Sequence, residues 1–194
     1  VYGPGTALTV LADSLRACIT ASPGRKLPRA DLNAVEARVV LWLAGHEDAM
    51  EIFRSGACIY CEQASALTGR KIVRVKGQDD PPERQNGKQI ILGCGFQMGD
   101  VKFLDSAHKA GWMIDEDMAK LAVRSYRDRW WRVPKLWSGL NDAAVSAVRA
   151  PGRYCEYQGC GYRVEGDYLT CRLPTGRKLF YYRPALQIDP EKEW

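Results

Sequence analysis

Apolar residues recur every three or four positions through most of the chain, and Gly or Pro separates the segments that show this spacing. Such spacing gathers apolar side chains on one face of a helix, so it predicts a mainly helical protein. The predicted helices are Leu8–Thr20, Ala34–Leu43, Glu47–Arg54, Cys58–Leu67, Pro82–Gln97, Glu116–Trp131 and Pro134–Val148.

Toward the C-terminus the pattern becomes typical of strands. Tyr168–Leu173 and Arg177–Arg183 flank Pro174-Thr-Gly176, which predicts a β-hairpin. A further strand is predicted at Lys26–Asp31, although Pro28 cannot donate a hydrogen bond to a neighbouring strand. We therefore predict an α+β fold, mainly helical, with part of an antiparallel sheet that includes a C-terminal hairpin.

The helix predicted at Pro82–Gln97 carries Arg84, Lys88, Leu92 and Phe96 at steps of four residues. Four residues turn an α-helix through about 400°, so these side chains form one slowly winding stripe. The two cations precede the two apolar residues, an order that suits a nucleoside triphosphate with its phosphates at the charged end. The alternative is a solvated amphipathic helix that carries Arg and Lys by chance.

The start of this helix also suits an anion. Asp80 is predicted to be its N-cap, followed by Pro81 at the first helical position and by Glu83 three residues after the cap. Unpaired N–H groups and the helix dipole favour negative charge at such an end.

Asp31 stands at the end of the predicted strand, and Glu36 lies five residues later in the first turn of the next helix. Mg²⁺ prefers oxygen ligands and usually binds one or two protein carboxylates together with substrate phosphates. Asp31, a carboxylate at the end of a predicted strand and just before a helix, is therefore a candidate magnesium ligand. The alternative for Asp31 is an ordinary helix N-cap.

Asp31-x4-Glu36-x-Arg38, followed further along by Arg-x3-Lys-x3-apolar-x3-aromatic, resembles motifs A and B of family A DNA polymerases, the relatives of bacterial DNA polymerase I. The resemblance extends from about Leu11 to Pro184 and is greatest to the phage branch. Other segments that carry it are Asp31–Gly45, Ile52–Gly56, Ile59-Tyr60 and Leu173–Leu179.

The resemblance implies a role for each matching residue. Asp31 would hold two catalytic Mg²⁺ ions with the backbone carbonyl of Leu32 as a further ligand. Glu36 would close the pocket beside the sugar and exclude a 2′-hydroxyl. Arg84 and Lys88 would grip the phosphates of a dNTP.

Two positions depart from the family pattern. Leu92 stands where Phe or Tyr is common, and Phe96 stands where a tyrosine is usual. Without that tyrosine hydroxyl, we expect weaker selection between deoxyribose and ribose.

The family also needs a second metal-binding carboxylate in a His-Asp-Glu turn, motif C, which this chain lacks. The resemblance thus implies an approach to the palm (1–33), helical fingers (34–150) and a partial palm hairpin region (151–194), inactive alone. The chain would be a truncated form, an incomplete gene or half of a split polymerase. Expected partners are primer–template DNA, a dNTP and a C-terminal palm segment on another chain. The alternative function is a non-catalytic remnant that binds nucleotide or DNA.

The composition also bears on cellular location, membrane contact and cysteine chemistry. There is no apolar run of about eighteen residues and no signal-peptide pattern, which predicts the cytoplasm of a bacterium or phage-infected host and no membrane partner. Seven cysteines include the pairs Cys58/Cys61 and Cys155/Cys160. The odd count argues against a disulfide framework, and the helical position predicted for Cys58 and Cys61 favours reduced thiols over zinc.

The net charge of +5 fits a nucleic-acid partner without requiring one. Cations form two clusters, and aromatic residues interleave with the cations of the second, which suggests phosphate contacts with stacking. The alternative is a solvated helix face whose tryptophans lie in the core, and we expect at least one of Trp130 and Trp131 there. The clusters comprise Arg70, Lys71, Arg74 and Lys76, then Lys120, Arg124, Tyr126, Arg127, Arg129, Trp130, Trp131, Arg132, Lys135 and Trp137.

Overall fold

The computed structural model describes residues 7–75 and 77–186, and this part of the chain is α+β, as predicted. The helices are α1 (Ala7–Ala17), α2 (Val35–Leu43), α3 (Glu47–Arg54), α4 (Ile59–Thr68), α5 (Pro82–Gly95), α6 (Asp100–Lys109), α7 (Glu116–Arg129) and α8 (Arg132–Arg149). The strands are β1 (Cys155–Tyr157), β2 (Cys160–Glu165), β3 (Tyr168–Arg172) and β4 (Lys178–Tyr182). None of the described helices is both long and apolar enough to cross a membrane.

The chain divides into two compact units, Val1–Asn33 and Ala34–Trp194. The first contains α1, and the second contains α2 to α8 and the sheet. The predicted division into palm and fingers regions stays a prediction. Lys76 of the first basic cluster and residues 187–194 of the last predicted region lie outside the described residues.

The strand predicted at Lys26–Asp31 is wrong, because residues 25–32 form no regular secondary structure. Pro28 lacks the N–H group that a ladder needs. The four strands found in the described residues all come from the C-terminal part of the chain, in the order β1-β2-β3-β4.

One helix was not predicted, and several helix boundaries differ from the predicted ones by two or three residues. α6 has Phe103 and Ala107 buried four residues apart, a short signal that the flanking polar residues obscure. α7 ends at Arg129 rather than at Trp131. Its N-terminus is capped by Asp115, whose Oδ1 accepts a 2.8 Å hydrogen bond from the backbone N–H of Met118.

Helices α2 to α8 share one core, which contains Trp130 and Tyr126 as its largest fully buried side chains. The indole of Trp130 donates a 2.7 Å hydrogen bond to Oε1 of Gln63. Gln63 in turn donates a 2.9 Å hydrogen bond to Oγ of Ser125. A buried polar chain of this kind avoids the cost of unpaired groups and fixes how α4 meets α7.

The close contact between α4 and α5 requires a residue without a Cβ atom at Gly87. A Cβ atom there would lie 2.0 Å from the carbonyl oxygen of Tyr60. Because that neighbour is backbone, it cannot rotate away, so only glycine permits this approach of the two helices.

The sheet is an antiparallel meander with α8 packed against β1 and β2. Leu169 and Cys171 face the buried side. The predicted hairpin is confirmed, since β3 and β4 pair across a turn in which the N–H of Gly176 bonds to the carbonyl of Leu173 at 2.8 Å. Gly176 has a φ of 86°, which favours glycine.

Candidate nucleotide-binding site

The N-terminus of α5 differs from its prediction. The helix begins at Pro82 with Pro81 as its N-cap, so Asp80 does not cap it. The carboxylate of Asp80 instead pairs with Nε of Arg74 at 2.6 Å and with Nη1 of Arg84 at 3.0 Å. Two guanidinium groups are stronger partners for a carboxylate than a backbone N–H, which explains the difference.

Arg84 is held on several sides. Its side chain is only 18% exposed, and its guanidinium lies 5.2 Å from the ring centroid of Tyr60. Its Nε donates a 3.4 Å hydrogen bond to Sγ of Cys58. These contacts hold the Arg84 guanidinium at the start of α5, where the carboxylate of Asp80 partly neutralises its charge.

The contact with Arg84 alters the two thiols at the start of α4. Burial raises the pKa of Cys58, but hydrogen bonds from the Cys61 backbone and from Arg84 outweigh it, so the net shift is downward. Burial, together with the hydrogen bond to Cys58, raises the pKa of Cys61 to about 12. Cys58 is thus the thiol of this pair that ionises more easily.

Lys88 lies one helical turn beyond Arg84 and is half-buried. Within the described residues it forms no hydrogen bond or ion pair, unlike Arg84. Its ammonium is therefore the less compensated of the two cations that sequence analysis placed on this stripe.

The C-terminal half of α5 and the helix α2 enclose a cavity of about 370 Å³. Glu36 from α2 and Leu92 and Phe96 from α5 all line it, so three predicted nucleotide-binding residues meet although they are far apart in sequence. The remaining lining is mainly aliphatic: Val35, Ala37, Val39, Val40, Leu43, Ile91 and Gly95.

Phe96 stands just outside the helix. α5 ends at Gly95, so the predicted end at Gln97 is two residues too long. Gln97 adopts a φ of 62°, which turns the chain out of the helix. Phe96 is 72% exposed at this end, with its ring at the rim of the cavity.

Asp31 and Leu32 belong to the first unit, where both are exposed. α2 has Ala34 as its N-cap, so Asp31 is not the cap of that helix. A carboxylate and a backbone carbonyl are oxygen donors that suit Mg²⁺, which usually completes its shell with waters and substrate phosphates. Across residues 7–75 and 77–186, no group of three His, Cys, Asp or Glu side chains is placed to bind a metal.

Most aromatic residues of the second basic cluster lie in the hydrophobic core. Trp130 and Tyr126 are buried, and Trp137 packs partly buried against the same core. Trp131 is half-exposed and carries the guanidinium of Arg132 at 4.9 Å from its ring. The expectation that at least one of the adjacent tryptophans lies in the core is confirmed for Trp130.

Sequence reasoning did not identify Asp80, Cys58 and Tyr60 as the surroundings of Arg84. The spacing of four residues between Asp80 and Arg84 is typical of an ion pair at a helix start and was the available signal. The contacts to Cys58 and Tyr60 join two helices and have no local signal.

The chain is similar to a DNA polymerase of Bacillus phage SP02. It is 30% identical to that protein over 180 residues, which cover 93% of this chain. The chain spans 27% of the length of that relative. No protein-family model and no solved structure matches the chain.

Proposed function

We propose that this chain is the nucleotide-selecting region of a family A DNA polymerase, an enzyme that adds nucleotides to a primer under the direction of a template. The observation that carries the proposal is the cavity where Glu36, Leu92 and Phe96 meet, with Lys88 and Arg84 on the same helix. The similarity to a phage DNA polymerase along most of the chain supports it.

In this proposal α5 spans the nucleotide from phosphate to base. Lys88 lies about 6 Å along the helix axis from Leu92, and Arg84 about 6 Å further, at 1.5 Å per residue. The cations bind the triphosphate of a dNTP, and the sugar and base approach the cavity. Glu36 and the Phe96 ring limit the room beside the sugar, so they select against a 2′-hydroxyl.

Lys88 and Arg84 contribute differently. Arg84 already pairs with Asp80, so a triphosphate has to compete with that carboxylate for the guanidinium. Lys88 has no such partner in the described part of the chain. We therefore assign the larger share of phosphate affinity to Lys88, with Arg84 acting as an anchored second contact.

Asp31 and the carbonyl of Leu32 are the proposed Mg²⁺ ligands of this chain. Two bound ions would activate the primer hydroxyl and neutralise the pyrophosphate. These two donors do not make a complete site for two ions. The proposal therefore includes a second carboxylate from palm residues outside this sequence, on the same or another chain.

The alternative is a remnant that binds nucleotide or DNA without catalysis, and the absence of a His-Asp-Glu turn favours it for the chain alone. We expect the purified chain not to extend a primed template with Mg²⁺ and dNTPs. Extension that is lost in Asp31→Ala would show that another ligand in this chain completes the metal site.

Binding of a dNTP tests the proposal directly. Lys88→Ala should weaken binding by roughly 1.5–3 kcal/mol, the value of a hydrogen bond to a charged group. Titration calorimetry with the full chain measures the change. Lys120→Ala is the matched control, because Lys120 lies on α7 and is shared between Glu116 and Asp117 at 3.8 Å. Equal losses in both variants would indicate general electrostatic attraction and contradict a phosphate site at Lys88.

A further inference from the structure

In the described part of the chain, α8 packs on the side of the sheet that Tyr157 and Cys160 share, and no helix of the second unit packs extensively against the opposite face. Its residues follow from the register, in which residues opposite each other share a face. Tyr168 is opposite Tyr182, Thr170 opposite Phe180, and Arg172 opposite Lys178. This set, with Arg163 opposite Thr170 on the next strand, is called the open face.

Three exposed aromatic rings lie together on the open face. Phe180 is 61% exposed, Tyr182 59% and Tyr168 42%. The centroid of the Tyr168 ring is 6.1 Å from that of Phe180 and 5.3 Å from that of Tyr182. Exposed contiguous apolar surface of this kind marks a binding site more often than a random surface does.

Cations surround these rings. Arg183 lies 5.1 Å from the centroid of Tyr182. Arg163 is in the same cross-strand row as Phe180, with Thr170 between them, and its guanidinium lies 5.6 Å from the centroid of the Tyr154 ring. Lys178 is paired with Glu165 at 2.9 Å, whereas Arg172 forms no ion pair in the described part of the chain. The segment 153–183 holds six Lys or Arg against three Asp or Glu, so it has a positive excess.

We propose that the open face binds single-stranded nucleic acid, with bases stacked on Phe180, Tyr182 and Tyr168 and phosphates near Arg172 and Arg163. Aromatic rings on a sheet surface offer stacking platforms to unpaired bases, while a duplex hides its base faces. The cations complement a phosphate backbone, whereas the buried core of a protein–protein interface is usually depleted of charged residues. The proposal does not rest on the polymerase assignment, because none of its residues lines the cavity at α5.

Fluorescence anisotropy of the full chain with a labelled oligo-dT of about 12 nucleotides, a length within the range of one platform, tests this. Phe180→Ala should weaken binding by about 5-fold or more, the loss of one stacked base. Phe180→Tyr keeps a ring and should bind nearly as wild type. A labelled oligo-U of the same length tells DNA from RNA, and binding of either strand supports the proposal.

Tyr181→Ala is the matched control. Tyr181 lies on the same strand and is 50% exposed, but it is opposite Leu169 and so faces the other side of the sheet. Its loss should leave the affinity unchanged. Equal weakening in Phe180→Ala and Tyr181→Ala, or no binding at low salt, would overturn the proposal.

Arg172→Gln gives a second measure that does not depend on the rings. Removal of one phosphate contact should reduce the slope of log affinity against log salt by about 0.7. An unchanged slope contradicts the proposed contact at Arg172. The competing case is a protein interface on the open face, and light scattering identifies it. A dimer that Phe180→Ala dissociates, in a chain that does not bind nucleic acid, would overturn the proposal.

Discussion

Trp130 and Tyr126 in the helical region are fully buried, whereas Tyr168, Phe180 and Tyr182 in the sheet are exposed. The helices surround the first two rings from several sides, but α8 covers only one face of the sheet. Aromatic residues of the same kind therefore serve stability in one region and are available for binding in the other. The difference follows from what packs against each ring and not from residue type.

The largest effect expected from this comparison is the loss of Trp130. Trp130→Ala should reduce the free energy of unfolding by about 3–5 kcal/mol, because it opens a cavity and leaves Gln63 without its indole donor. Urea denaturation measures the change. Phe180→Ala on the open face should change stability by only about 0.5 kcal/mol. Similar losses in the two variants would mean that the sheet rings are also structural.

A pair of glycine substitutions sharpens the contrast. Gly87→Ala should cost about 1–3 kcal/mol, since the new methyl group meets the backbone carbonyl of Tyr60. Gly161→Ala also meets a neighbour, but that neighbour is the side chain of Tyr154, which is partly exposed and able to rotate. Thermal unfolding should therefore show the larger decrease for Gly87→Ala. The opposite order would mean that α4 and α5 separate easily.

The smallest effect expected concerns pH. His46 is 2% exposed, both of its ring nitrogens lack partners among the described residues, and its ring lies 5.5 Å from that of Trp130. Burial lowers the pKa of His46; the nearby backbone of Arg129 and the charge of Asp48 oppose this shift, and the charges of Arg129 and Arg132 aid it. The unfolded chain therefore takes up a proton at higher pH than the folded one.

It follows that stability should fall as the pH decreases below about 6.5, where an unfolded histidine becomes protonated. Urea denaturation at about pH 7.5 and at about pH 5.5 measures this loss. Both pH values lie above the ordinary pKa range of carboxyl groups. His46→Phe keeps a ring without a titrating group and should reduce the dependence. If the free energy of unfolding depends on pH equally steeply in that variant, the dependence arises from other residues.

Local patterns in the sequence were sufficient for the parts of the fold that local rules control. The helices α2, α3, α4 and α8 and the hairpin of β3 and β4 lie within a few residues of their predicted positions. The strand predicted at Lys26–Asp31 failed, because a strand needs a partner that no local pattern supplies.

The candidate site divides in the same way. The sequence alone determined the stripe of Arg84, Lys88 and Leu92, because helical periodicity fixes which residues share a face. Tertiary structure decided that Glu36 joins Leu92 and Phe96 around one cavity and that Asp80 and Cys58 hold Arg84. It also decided which aromatic residues are buried and which are exposed. These outcomes depend on contacts between segments far apart in the chain, where burial and distance are set by packing and not by the residues on either side.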